Sequence, residues 1–284
     1  MEFAMIAFLR SFRKSRHAHD DPKPRLAEVE AANAAAKADF ERDLRRLLDR
    51  PSPVLMTCFC CDQPITFKSA EMMPAKCMFT GVSLVRHKCG TCGCVVGPMP
   101  LVQCTPAELG GLYQGFYRFC NEGFSVPYQE KTFYLLNPSR RGKYLNYACG
   151  DWAIGVKRLR DIGWDVWGYE PFQDSKSPAI FAERSQVIDG SYDGVFSHNY
   201  IEHVQDPVEF FRECRAMLKE KAAMAHSSPC YEYLYEVSPF HLFFPTGDSV
   251  HRLAAKTGFR VAGMQGIDVD WPGNEYYCCN FAAI

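Results

Sequence analysis

From residue 141 onward, short apolar runs alternate with amphipathic stretches. Tyr144-Leu145-Asn146-Tyr147 reads as a first strand and Ala153–Ile162 as the helix after it. Trp164–Tyr169 reads as a second strand, Pro178–Arg184 as a short helix and Gln186–Ile188 as a brief third strand. Asp193–Ser197 reads as a fourth strand, Pro207–Leu218 as a helix and Ala222–His226 as a fifth strand. A helix over Asp248–Thr257 and closing strands at Arg260–Met264 and Tyr276–Phe281 complete the pattern. Strands and helices taking turns in this way predict an α/β fold, a mostly parallel sheet with helices on both faces.

The N-terminal half follows other rules. Residues 25–50 are rich in Ala, Leu, Glu and Arg and contain neither Gly nor Pro, which predicts one long helix. Pro51-Ser52-Pro53 ends it. Residues 54–104 turn to Cys, Gly and Pro with short β-type runs such as Ser83-Leu84-Val85, and residues 105–140 form an aromatic-rich connector, helical in parts. Four units are therefore expected: a helical segment over 1–53, a cysteine module over 54–104, the connector over 105–140 and the α/β domain over 141–284. The apolar stretch within residues 1–16 is too short to span a bilayer, and its charges follow it rather than precede it. It reads as a short helix packing on its own protein, with peripheral membrane contact as the alternative.

The chain of 284 residues has a net charge of −1 and is 47% hydrophobic, as expected of a globular protein with no nucleic-acid partner, since no basic excess exists to neutralise phosphates. Its 14 cysteines change the picture. Cys58, Cys60, Cys61, Cys77, Cys89, Cys92 and Cys94 fall within 37 residues, a clustering that points to metal rather than disulfides. Scattered thiols such as Cys149, Cys214, Cys278 and Cys279 suit a reducing, cytoplasmic compartment. Cys58-x-x-Cys61 and Cys89-x-x-Cys92 can each hold a metal from one tight knuckle, and the 27 residues between them suit the hairpin of a zinc ribbon. Four thiolates leave zinc no open position, so the expected role is structural. Cys60 and Cys94 allow other ligand choices, Cys77 or His87 can substitute, and an iron–sulfur cluster is the alternative metal group.

The turn Ala148-Cys149-Gly150-Asp151-Trp152 follows the first strand, at the carboxyl edge where open α/β sheets bind ligands. Gly150 lets the backbone pass close to a ligand. Twenty residues after Gly150, Glu170 ends the second strand, where a carboxylate can accept hydrogen bonds from both ribose hydroxyls. A dinucleotide needs a G-x-G-x-x-G turn for its pyrophosphate, and here Ala148, Gly150 and Ala153 stand at those positions with Asp151 between. A carboxylate repels a pyrophosphate but not a sulfonium cation, which favours S-adenosylmethionine (SAM) over NAD.

KYLNYACGDW, GWDVWGYEP and YDGVFSHNYIEHVQDPVEFFRECRAMLK resemble the successive signatures of class I SAM-dependent methyltransferases, the last most specifically. PFHLFFPTGDSVHRLAAKTGF is similar to a later motif of the small-molecule branch, and together these segments cover roughly half the chain in the expected order. The resemblance implies a Rossmann-like, seven-stranded fold. It implies a cofactor pocket of Asn146, Ala148, Cys149 and Gly150, with Glu170 on the ribose, Asp189 near the adenine and Ser197 and His198 near the methionine part. The chain departs from the pattern at Asn146, where an acid is usual, at Ala148 and Trp152, where glycines are usual, and at Lys219-Glu220-Lys221-Ala222, where Lys-Pro-Gly-Gly is usual. The cysteine module resembles the zinc-binding N-terminal domain that precedes some sugar-modifying methyltransferases.

Methyl transfer needs alignment and desolvation, and a base only where the acceptor must lose a proton. The candidate bases are His198, His203 and His241, with Tyr200 and Glu202 nearby in sequence. The connector aromatics Tyr113, Phe116, Tyr117, Tyr128, Phe133 and Tyr134 either wall the site or pack the module against the domain. The expected function is methylation of a small molecule, a sugar or sugar nucleotide. The alternatives are a binding or scaffold protein that has lost turnover, and a protein or RNA methyltransferase gripping its substrate through the zinc module.

Overall fold

In the computed structural model the described residues are 26–120, 125–150, 153–171, 177–267 and 276–284. The expectations placed on residues 1–16, Asp151 and Trp152 lie outside them.

Helix α1 (Leu26–Leu48) buries Ala36, Phe40, Leu44 and Leu47, a helical stripe against helix α3 (Pro106–Tyr117). Phe40 and Phe116 meet there with ring centroids 5.8 Å apart. α3 starts in a capping box: Thr105 Oγ1 accepts from the Glu108 amide, and the Glu108 carboxylate accepts from the Thr105 amide. Between these helices lie a hairpin, β1 (Leu55–Thr57) with β2 (Pro64–Thr66), then β3 (Glu71–Lys76), β4 (Ser83–Lys88), β5 (Val95–Val96) and the short helix α2 (Met99–Val102). Helix α4 (Val126–Leu135) closes the connector.

The second half runs β6 (Lys143–Tyr147), α5 (Ile154–Asp161), β7 (Asp165–Tyr169), β8 (Ile180–Phe181), β9 (Tyr192–His198), α6 (Pro207–Met217) and β10 (Leu218–Ser228). It continues with β11 (Phe243–Phe244), α7 (Ser249–Lys256), β12 (Phe259–Ile267) and β13 (Tyr276–Ala283). Seven strands form one sheet in the order β12-β13-β10-β9-β6-β7-β8, in which β13 runs antiparallel to both neighbours. The pairs from β10 across to β8 are parallel, as the alternation of strand and helix predicts.

Two expectations are corrected. Pro178–Arg184 contains no α-helix: Ile180-Phe181 is strand β8, a 3-10 turn spans Arg184–Gln186, and no strand forms over Gln186–Ile188, where the third was expected. The link from β7 is short, and the free edge of β7 captures the chain through Gly168 N to Ala179 O and Glu170 N to Phe181 O, both 2.9 Å. The fifth strand also starts earlier than expected. β10 leaves α6 directly and breaks register between Leu218 and Ala223, with Lys221 at φ 60, so the Lys-Glu-Lys-Ala stretch forms a bulged strand end.

The two halves interlock. β11 belongs to the second half in sequence but pairs with β5, completing a sheet in the order β11-β5-β4-β3. Arg86 on β4 is wholly buried and donates to Glu236 O at 2.6 Å, Ser238 O at 2.7 Å and His241 O at 3.0 Å. α4 packs on the main sheet, where Thr132 Oγ1 meets Ser227 Oγ at 2.6 Å and Asn280 Nδ2 donates to Leu135 O at 2.9 Å.

Candidate functional site

The carboxyl ends of β6 and β7 lie side by side, since Tyr147 pairs with Tyr169 in parallel register. The turn after β6 holds Ala148 at φ 53, Gly150 at φ 79 and Ala153 at φ 47. Left-handed backbone costs a non-glycine residue about 1–2 kcal/mol, so the two alanines keep the shape of a glycine turn against their own preference. Among the described residues, a Cβ on Gly150 would meet nothing within 4 Å. The Gly150 amide donates to Glu170 Oε2 at 2.9 Å, and Glu170 is 5% exposed. A carboxylate has lone pairs for more than one donor. The Cys149 thiol packs against Gly168, where a Cβ would lie 2.6 Å from the sulfur.

Asn146, 1% exposed, donates through Nδ2 to Gln129 Oε1 at 2.9 Å, while its Oδ1 is buried with no partner among the described residues. Gln129 also presses on the first turn of α5, where a Cβ on Gly155 would sit 2.3 Å from its Oε1. Sequence reasoning missed Gln129, because no spacing rule links the first turn of a helix to a strand 17 residues on. The structure thus gathers Asn146, Ala148, Cys149, Gly150 and Glu170 at one edge, with Gln129 behind them.

Ser197 and Asp189 lie elsewhere. Ser197 points into the layer under α6 and meets His226 Nδ1 at 2.8 Å, wholly buried. Asp189 is exposed before the start of β9 and pairs with Arg184 at 2.5 Å. Arg184 also binds Glu213 at 2.8 Å, and Glu213 accepts from Tyr147 Oη at 2.6 Å. Asp189 precedes the first residue of β9, which His198 ends, and the chain of contacts from it runs to Tyr147 at the end of β6.

The three candidate bases fall in two places. His198, at the end of β9, stacks on Tyr128 with centroids 4.9 Å apart and planes at 6°, and Tyr276 flanks it at 5.1 Å. Its Nδ1 meets Ser227 Oγ at 2.9 Å. Thr132 must give its only proton to Tyr128 O, 2.7 Å away, so Ser227 donates to Thr132 and accepts from His198. His198 therefore carries its proton on Nδ1 and presents Nε2 as an acceptor. Burial holds its pKa down to about 3.

His203 and His241 sit together beyond the sheet edge, with ring centroids 5.0 Å apart. His203 Nδ1 meets Tyr113 Oη at 2.6 Å, and the Phe240 backbone lies against the ring as a further polar partner. Burial lowers its pKa to about 4. His241 Nδ1 lies 3.3 Å from Cys230 Sγ, and burial lowers its pKa well below the ordinary value, with His203 adding to the effect. Of the connector aromatics, Tyr128 reaches the carboxyl edge of the sheet at His198, whereas Phe116 packs in the N-terminal core and Phe133 packs with Tyr144, Trp164 and Phe196.

The four cysteines of the two C-x-x-C pairs come together. The sulfurs of Cys58, Cys61, Cys89 and Cys92 lie within 4.8 Å of one another, with Cys58 to Cys92 at 3.6 Å and Cys61 to Cys89 at 3.7 Å. Ligands about 2.3 Å from a tetrahedral zinc stand about 3.8 Å apart, whereas a disulfide brings its sulfurs to about 2.0 Å. The donor set therefore fits one zinc ion. Knuckle turns support it, with Asp62 N on Cys58 O at 3.1 Å and Gly93 N on Cys89 O at 2.9 Å. Cys77 packs instead with Leu84 and Phe40 in the N-terminal core, and His87 lies against Phe67 with centroids 4.3 Å apart.

A family model described as a methyltransferase domain matches residues 122–262. No curated protein matches the chain. Among solved structures, the chain is similar to a 1,6-didemethyltoxoflavin-N1-methyltransferase from Burkholderia thailandensis, with 12% identity and a TM-score of 0.50 over 75% of this chain and 99% of that one. That structure holds 1,6-didemethyltoxoflavin and S-adenosylhomocysteine. A SAM-dependent methyltransferase from Thermotoga maritima, described as a possible histamine N-methyltransferase, shares 16% identity over 62% of this chain and 98% of that one, with a TM-score of 0.44. Residues 122–262 are therefore a methyltransferase domain, built on the class I fold of SAM-dependent methyltransferases.

Proposed function

We propose that the protein transfers the methyl group of SAM to a small-molecule acceptor, a sugar or sugar nucleotide, and that the cysteine module holds structural zinc. The observation that carries the cofactor reading is the Glu170 carboxylate set on the Gly150 amide, where the carboxyl ends of β6 and β7 lie side by side. Asn146, Ala148, Cys149 and Gly150 line the turn after β6 in this reading, and Glu170 accepts from the ribose.

For the acceptor, the support is the wall of Tyr128, His198 and Tyr276, which offers flat ring faces and one imidazole acceptor atom. His198 Nε2 orients a hydroxyl or amine of the acceptor by accepting its hydrogen bond. A pKa of about 3 makes it a weak base, so its part is alignment more than full proton removal. The resemblance of the cysteine module to domains preceding sugar-modifying methyltransferases supports the sugar class.

Calorimetry with SAM and S-adenosylhomocysteine tests this reading. Wild-type protein should bind both, and Glu170→Gln should weaken binding about 10- to 150-fold, for the loss of one charge-assisted hydrogen bond of about 1.5–3 kcal/mol. No binding at millimolar ligand overturns the enzyme reading and leaves a scaffold on a methyltransferase fold. Methyl transfer from labelled SAM to a panel of nucleotide sugars then tests the acceptor class.

A further inference from the structure

Six cysteines, not four, converge in the module. Besides the Cys58, Cys61, Cys89 and Cys92 group, the sulfurs of Cys58, Cys60 and Cys94 lie within 4.8 Å of one another, with Cys58 to Cys94 at 3.4 Å. Cys92 lies 3.6 Å from Cys58 and interacts with Cys60 and Cys94, but it stands outside this tight group of three. The two sets share Cys58, with Cys92 beside it.

The spacing in sequence repeats the geometry. Around Cys58 the residue two positions on (Cys60) turns to the second set, and the residue three positions on (Cys61) turns to the first. Around Cys92 the residue two positions on (Cys94) turns to the second set, and the residue three positions back (Cys89) turns to the first. We propose that the six cysteines hold two zinc ions in edge-sharing thiolate tetrahedra, with Cys58 and Cys92 bridging the metals, Cys61 and Cys89 terminal on one, and Cys60 and Cys94 terminal on the other. This rests on the zinc reading of the first set.

Charge and burial support the second ion. With one zinc, Cys60 and Cys94, 3% and 0% exposed, remain as buried thiols pressed against metal-bound sulfur. A second zinc converts them to thiolates and releases their two protons to solvent, leaving the same double negative charge as a single zinc with four thiolates. α7 also ties to the first knuckle: Lys256 Nζ donates to Phe59 O at 3.0 Å and pairs with Asp62, while Arg252 pairs with Asp248.

The test is the metal content of the full-length protein, reduced, loaded with zinc, cleared of loosely held metal and measured by elemental analysis and native mass spectrometry. The expected result is two zinc ions per chain. One zinc per chain overturns the second site and leaves the zinc reading intact, whereas none overturns both. The double variant Cys60→Ser with Cys94→Ser should fall from two to one, and retention of two also overturns the assignment.

Discussion

Burial of neutral histidines makes the fold sensitive to mild acid, and the size of the effect follows from the site. His198 and His226 have pKa values held down by burial to about 3, and His203 to about 4. In the unfolded chain each titrates near 6.5. Because the folded values are depressed, the unfolded state takes up protons first as pH falls. Stability is thus full above about pH 6.5 and declines below it, down to the folded values. At pH 5 each group contributes about 2 kcal/mol of loss, since it lies about 1.5 units below its unfolded pKa at about 1.36 kcal/mol per unit. That loss hardly depends on the folded value, so long as it is about 4 or lower. Three groups sum to about 6 kcal/mol, comparable to the whole stability of many domains. Urea unfolding from pH 7.5 to 5 measures this, with His226→Phe as the decisive comparison. Its ring sits among Phe210, Phe211 and Phe281. The variant should lose about 1.36 kcal/mol per pH unit from the slope between pH 5 and 6, whatever its absolute stability. An unchanged slope refutes the argument.

Two further substitutions probe the contacts around the site. Gly247→Ala places a Cβ 2.8 Å from Cys92 O at a φ of +64, so thermal unfolding should show a loss of at least about 2 kcal/mol from left-handed strain and overlap together. Tyr113→Phe removes the hydroxyl on His203 Nδ1 and should cost about 1–3 kcal/mol in urea unfolding while leaving SAM affinity unchanged.

The strand–helix alternation was legible because each element after residue 141 pairs an apolar period with a clear stop. Pro207 opens α6 behind the Asp206 cap, whose carboxylate accepts from Val208 and Glu209. Strand β8 was not legible, since Ile180-Phe181 becomes strand only by pairing with the edge of β7. A two-residue strand carries no period of its own. The turn and Glu170 could be found from spacing, because both sit at strand ends that parallel register brings together. Gln129 could not, and neither could the Tyr128–His198 stack, because both depend on how α4 lies across the sheet. The tautomer of His198 was further still from the sequence, fixed by three hydroxyl and carbonyl partners from α4 and β10.

The way the two halves join bears on what the cysteine module is for. The loop between β10 and α7 is fastened to the module at several points. β11 pairs with β5, Arg86 binds three of the loop's carbonyls, Thr246 Oγ1 donates to Gly93 O at 2.5 Å, and Asp248 N donates to Cys92 O at 2.9 Å. The last two contacts fall on the second knuckle itself, between Cys92 and Cys94. Gly93 and Gly247 meet there so closely that a Cβ on either would lie 3.3 Å from the other's Cα. The same loop carries Phe240 and His241, which pack on His203 and Tyr113. A metal that fixes the knuckle therefore also fixes the loop. On this geometry the module is fastened to the methyltransferase domain as an internal brace, and removal of the proposed zinc should be felt first in the packing around His203 and His241.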